Sequence, residues 1–127
     1  MNNINVVVDV PNRFLDDILT TAFEGGNTYW LDSVTIKTKP DTPHKNLFNS
    51  DIISMGGALV LTSIDNDRGV LTKKRLLNAI EWYINKYQSK KHWYSESNTG
   101  LDVLEDYDAQ DADTILQYAL FGEVVYG

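Results

Sequence analysis

The sequence predicts an α+β fold: a small, mostly antiparallel sheet with two to three helices, assembling as a homodimer or higher oligomer. Three observations lead there. Short β-branched segments are separated by turn-forming residues, several stretches carry apolar residues at helical spacing, and the 127 residues suit one domain, 1–127. Helix surface beyond what a small sheet can cover is the reason to expect a second copy.

The elements follow in order. Asn5 to Val10 reads NVVVDV before Pro11, which predicts a first strand. Pro11 suits a first helical turn. Phe14, Leu15, Ile18, Leu19, Ala22 and Phe23 then form one helical face, stopped by Gly25-Gly26 with Gly25 as a left-handed cap. Val34 and Ile36 alternate with Thr35 and Lys37, so a strand lies within Tyr29–Lys39. Pro40 and Pro43 open a loop through about Asn49, and Ser50 to Ser54 is a short helical turn.

Ala58 to Ile64 is an apolar strand, Asp65 to Gly69 a turn, and Val70-Leu71 a short returning strand. Thr72 is placed to cap the longest helix, 73 to 88, whose face is Leu76, Leu77, Ile80, Tyr83, Ile84 and Tyr87. Ser89 to Asp108 has no period and reads as a long loop, a kind more often functional than not. Asp111 to Leu120 is a third helix, capped by Asp108 or Asp111 and ended by Gly122, and Val124-Val125 suggests a terminal strand.

Composition bounds the function. The absence of cysteine excludes disulfides, thiolate metal sites and a cysteine nucleophile, and suits a cytosolic protein. No apolar run reaches membrane-spanning length and Met1 to Val10 lacks a signal-peptide pattern, so no membrane association is expected. The net charge of −7 is unevenly spread: residues 1–95 hold every Lys and Arg, and residues 96–127 carry a net −8. Such a chain is a poor partner for duplex nucleic acid, yet a local cationic pocket for a small anion remains open.

Few residues suggest catalysis. His44 and His92 sit in polar stretches outside any metal-ligand spacing, and no metal site is expected. The acidic run from Asp102 to Asp113 lacks the glycine and glutamate that a calcium loop requires, and reads as a solvated loop. Gly25-Gly26-Asn27 follows a helix, whereas phosphate loops follow a strand.

Two features point to an anionic ligand. Lys73-Lys74-Arg75 opens a helix, where the macrodipole disfavours cations, and a bound phosphate would resolve the conflict, although a solvated face near Asp65 and Asp67 explains it too. Tyr29-Trp30 and Trp93-Tyr94 place adjacent aromatics where only one of each pair can point inward, freeing the other to stack on a base. Lys90-Lys91-His92-Trp93 joins cations to a stacking ring.

Four blocks carry a resemblance: DDILTTAFEGGNTYW (Asp16 to Trp30), GGALVLT (Gly56 to Thr62), LTKKRLLNAI (Leu71 to Ile80) and DAQDADTILQYALFGEVVYG (Asp108 to Gly127). Covering about two fifths of the chain, with the first and last most distinctive, they resemble the first-described phage Thoeris anti-defence sponge family. The resemblance implies a non-catalytic protein without cofactor. It would sequester a TIR-produced cyclic ADP-ribose isomer in the cytoplasm of an infected bacterium, at a dimer-interface pocket, with further assembly to hexamers and cyclic oligonucleotides held by some members. Family sites use arginines. This chain has Arg13, Arg68 and Arg75, and lysines standing in would not clamp phosphate bidentately.

The residues expected to bind are therefore Phe14, Trp30 or Trp93 for the adenine, and Lys73, Lys74, Arg75, Lys90 and Lys91 for the diphosphate. Asn27 and Gln117 would read ribose hydroxyls or a base edge. The alternative is an acidic protein-interaction module or nucleic-acid mimic built on residues 96–127, inhibiting a host protein. A hydrolase is a third reading, with little in the sequence to support it.

Overall fold

The first helix, α1 (Asn12–Thr21), begins immediately after Pro11, whose own backbone is extended and whose carbonyl accepts from Phe14 N at 3.0 Å. These positions come from a computed structural model, which describes residues 9–42, 47–87 and 107–127. Leu15, Ile18 and Leu19 bury the expected face of α1. The helix does not stop at a left-handed Gly25. Its last turn widens into a π-helical turn, Ala22–Gly26, and Gly25 keeps a negative φ. The apolar pattern survives the change because both helix types return Ala22 and Phe23 to the same side.

Three antiparallel strands follow, β1 (Leu31–Thr38), β2 (Ala58–Ser63) and β3 (Arg68–Thr72), in the order β1-β2-β3. Val34 pairs with Leu61, and Leu59 with both Ile36 and Leu71, so the larger apolar side chains share one face. Among the described strands β1 lies at one edge, and its Ile36 is 48% exposed. The register slips near both ends of β1, at Asp32 and Lys37, which breaks the ladder there. The β2–β3 turn places Asn66 at φ 70°, a conformation asparagine tolerates.

Helices α2 (Asn49–Ser54), α3 (Lys73–Tyr87) and α4 (Ala109–Phe121) complete the described fold. Thr72 Oγ1 accepts from Arg75 N at 3.2 Å and caps α3 as the sequence predicts. α4 starts two residues earlier than its apolar face suggests. Asp108 Oδ1 accepts from Asp111 N at 2.9 Å while Asp111 Oδ2 accepts from Asp108 N at 3.0 Å, so both candidate caps act together. Gly122 ends α4 at φ 72°.

The core joins Leu15, Ile18 and Leu19 of α1 to Leu59, Leu61 and Leu71 of the sheet, Leu76 and Ile80 of α3, and Ile115 and Leu116 of α4. Tyr83 is buried among them. Trp82 lies half-buried and stacked on Tyr118, with ring centroids 4.0 Å apart.

Two sequence expectations change. Val124 and Val125 form no strand: they are exposed, and no sheet edge receives them. Asp9 and Val10 are not in a strand, and the rest of the expected first strand lies outside the described residues, as does the loop predicted from Ser89, up to Tyr107. Among the described residues, no helix is long and apolar enough to cross a membrane.

Candidate functional site

The turn that follows α1 brings Tyr29 and Trp30 against α4. Asn27 organises this turn, its carbonyl accepting from Trp30 N at 3.2 Å and Leu31 N at 3.0 Å. Of the adjacent aromatics, Trp30 is wholly buried and Tyr29 is 52% exposed, yet the polar ends of both converge on α4 instead of diverging as on a strand.

Asp113 of α4 is the centre of the arrangement. Its Oδ1 accepts from Trp30 Nε1 at 2.7 Å, and its Oδ2 accepts from Tyr29 Oη at 2.6 Å and Gln117 Nε2 at 3.0 Å. The carboxylate is buried and meets three donors, which offset its desolvation. Asp113 and Gln117 sit at i and i+4 on one helix face and act as a unit. Burial, together with the hydrogen bond to Asp113, pushes the Tyr29 phenol up to about 12, so it remains a neutral donor at physiological pH.

Gln117 also holds the segment Glu123–Gly127. Its Oε1 accepts from Val125 N at 2.9 Å and Tyr126 N at 2.7 Å, and its Nε2 donates to the Tyr126 carbonyl at 3.0 Å. The Tyr126 ring stacks on Trp30 with centroids 5.3 Å apart and planes 3° from parallel. Its hydroxyl reaches Ser63 Oγ at 2.8 Å and Asp67 Oδ2, whose hydrogen bond raises the Tyr126 pKa.

An open cleft of about 470 Å³ lies beside this network, lined by Gly25, Gly26, Tyr29, Ala109, Gln110, Asp113 and Gly127. It is a shallow, open depression of the surface, not an enclosed cavity. Gly26 makes the cleft wall possible: a Cβ there would stand 2.4 Å from the Ala109 carbonyl oxygen, so only glycine lets the π-turn approach α4 this closely. Next to it, Asn27 is 1% exposed and its Nδ2 has no hydrogen-bond partner. A buried donor without an acceptor costs about 1–3 kcal/mol.

The structure therefore gathers Trp30 and Gln117 into one network, with Asn27 at its margin. Trp30 offers no open ring, because Tyr126 covers one face and Phe121 meets it edge-on at 6.0 Å. Phe14 is half-buried against the core. Lys73, Lys74 and Arg75 lie elsewhere. Thr72 pairs with Ala58 at one end of β2, whereas Leu31, next to Trp30, pairs with Ser63 at the other, a separation of about 17 Å along the strand.

There Lys73 Nζ donates to the Ser54 carbonyl at 3.2 Å and an Arg75 guanidinium nitrogen to the Val70 carbonyl at 2.9 Å, while Lys74 stands exposed. These carbonyl contacts ease the cation–dipole conflict at the start of α3 without a phosphate. Lys90, Lys91 and Trp93 lie outside the described residues, as do His44, His92 and Asp106.

Sequence reasoning missed Asp113 and Tyr126. The available signal was a polar pair, Asp113 and Gln117, spaced i, i+4 on the buried side of an otherwise apolar helix. Among the described residues, no three acidic or histidine side chains group as metal ligands. No protein-family model, curated protein or solved structure matches the chain.

Proposed function

We propose that this protein binds and sequesters, without turnover, a TIR-produced cyclic ADP-ribose isomer, acting as a phage anti-defence protein in the cytoplasm of an infected bacterium. One observation carries the reading. Asp16–Trp30 and Asp108–Gly127, the two blocks on which the resemblance chiefly rests, pack against each other beside an open cleft. Tyr29 offers that cleft a phenol ring, and the exposed Gln110 offers an amide able to bind a ribose hydroxyl. Asn27, whose buried Nδ2 has no hydrogen-bond partner, follows Gly26 in sequence.

The cations are displaced from this cleft by the length of β2, which favours a site completed by a second copy. Ile36, Phe48, Met55 and Ile64 leave exposed apolar surface for a homodimer or hexamer. The acidic-module reading draws less support. Asp108 and Asp111 cap α4, Asp111 accepts from the Tyr83 hydroxyl and Asp113 is buried, so these three acids already have structural roles, while Glu96, Asp102, Glu105 and Asp106 lie outside the described residues.

The test is incubation with purified isomer, filtration and heat release. The reading requires that the isomer leave the filtrate and return intact on denaturation. Return as a cleaved product would make the protein an enzyme, and an isomer that never leaves the filtrate would shift support to the interaction module.

A further inference from the structure

The segment Glu123–Gly127 lies in no strand or helix, yet side chains from the rest of the fold hold it in three ways. The Gln117 amide reads its backbone: Oε1 accepts from Val125 N and Tyr126 N, and Nε2 donates to the Tyr126 carbonyl. Two N–H groups and a carbonyl are what consecutive peptide units present. Trp30 and Phe121 receive the Tyr126 ring, one parallel and one edge-on, with centroids 5.3 and 6.3 Å away. Ser63 and Asp67 take its hydroxyl. The side chains of Val124 and Val125 stand exposed.

These holding groups have anchors of their own. Asp113 accepts from both Trp30 Nε1 and Gln117 Nε2, and Ser63 Oγ accepts from Asp65 N and Asp67 N at 3.2 and 2.9 Å. The slot therefore keeps its shape when the segment leaves. Departure needs only rotation about Gly122, which sits at φ 72° with open space where a Cβ would stand.

We propose that the slot between Gln117, Trp30 and Asp67 recognises an extended peptide segment with an unmodified tyrosine on another protein, and that the chain's own Val125-Tyr126 occupies it in cis. This goes beyond the capture of a nucleotide and does not rest on it. The backbone bonds to Gln117 give affinity for an extended peptide, and the ring pocket gives the choice of residue. The pocket ends in a carboxylate, which accepts from a phenol and repels a phosphate. Proline does not fit where Val125 stands, because its nitrogen carries no hydrogen for Gln117. The tethered segment competes with any free peptide, so the apparent affinity of the wild-type chain is the intrinsic affinity scaled by the open fraction.

The probe is the blocked peptide acetyl-Glu-Val-Val-Tyr-Gly-amide, titrated to millimolar concentration into the full wild-type chain and into Tyr126→Ala, with the Gln117 side-chain amide followed by NMR. The peptide is expected to shift that amide and to bind Tyr126→Ala about tenfold more tightly than wild type, as for a slot open about a tenth of the time. Peptides with phosphotyrosine for the tyrosine, or proline for the second valine, should each bind Tyr126→Ala at least about tenfold more weakly. Tyr126→Leu, which removes the planar ring but keeps apolar cover over Trp30, serves as the working variant should Tyr126→Ala fail to fold.

No binding to the folded variant, equal binding to variant and wild type, an unmoved Gln117 amide, or equal binding of the phosphotyrosine or proline peptide each overturns the slot. Concentration-dependent dimers of the wild-type chain that Tyr126→Ala abolishes would also overturn it, in favour of exchange of the segment between two copies. Capture of a nucleotide leaves every one of these outcomes open, so the two proposals stand or fall separately.

Discussion

Trp30 Nε1 donates to Asp113 Oδ1 at 2.7 Å across 83 residues of chain, and this single buried bond ties the turn after α1 to the face of α4. Three donors depend on Asp113. Asp113→Ala leaves the buried Trp30 Nε1 without an acceptor, while Tyr29 and Gln117 keep the Tyr126 carbonyl, and is expected to lower stability by about 1–3 kcal/mol. Asp113→Asn should recover part of that loss, since one amide oxygen still accepts from Trp30 while its NH2 opposes Tyr29 and Gln117. Urea midpoints of the two variants check the order.

Neighbouring glycines should behave differently. A Cβ on Gly26 meets the Ala109 carbonyl at 2.4 Å, and backbone cannot step aside as a side chain can. Gly26→Ala should cost about 2 kcal/mol or more. At Gly25 a Cβ meets only the Ala109 side chain, at 4.0 Å, and φ is not positive, so Gly25→Ala should be neutral or mildly stabilising. Thermal melts of both variants settle the contrast.

Alkaline pH should weaken the fold through Tyr29. Its phenol is raised from 10.0 to about 12, so the folded state holds the proton more tightly than the unfolded chain does. The corresponding stabilisation is whole below pH 10 and is lost as pH rises through about 12. Tyrosinate absorbance should show a group of late-titrating phenols, Tyr29 with Tyr83 and Tyr126, which Tyr29→Phe reduces by one, and the stability of that variant should fall less steeply across the same window.

Asp16 should respond in the acid range. Burial is the chief cause of its raised pKa, with Asp51 and Asp17 adding to it and the Ser54 hydroxyl opposing, and its Oδ1 is buried without a partner. The folded state therefore favours the protonated form. The contribution is greatest below the unfolded value of 3.8 and is lost as pH rises through the higher folded value. Asp16→Asn should accordingly raise the melting temperature at neutral pH, with a margin that closes on acidification.

Lys74 separates fold from function. It stands exposed in the first turn of α3, where an acid suits the helix dipole better. Lys74→Glu should stabilise the protein by about 0.3–1 kcal/mol. If the cations of α3 contact the diphosphate of the isomer, the same change should weaken capture about fivefold or more. Unchanged capture alongside the rise in stability would remove this residue from the site.

What the sequence made legible was local. Thr72 as a cap, Gly122 as a stop and the alternation of β2 depend on residues within one turn or one strand. The π-helical turn was hidden because Ala22 and Phe23 return to the same face in either helix type. Val124-Val125 read as a strand from β-branching alone, yet a strand needs an edge to pair with, and Gln117 takes up the backbone instead. The site was legible as residue types, Trp30, Asn27 and Gln117, but not as an arrangement. Asp113 was lost within an acidic run, and the covering of Trp30 by Tyr126 is set by packing between distant parts of the chain.

That distance governs kinetics as well as geometry. The bonds that Tyr29 and Trp30 make with Asp113, Gln117 and Tyr126 link residues 83 to 97 positions apart. Closing so long a loop costs entropy that no local contact repays, so the sheet hairpins and α3 are expected to form first and the Asp113 cluster last. Substitutions in that cluster should then accelerate unfolding and leave the refolding rate almost untouched. The lifetime of the folded protein, and of anything it holds, is then set by how slowly the two ends of the sequence part.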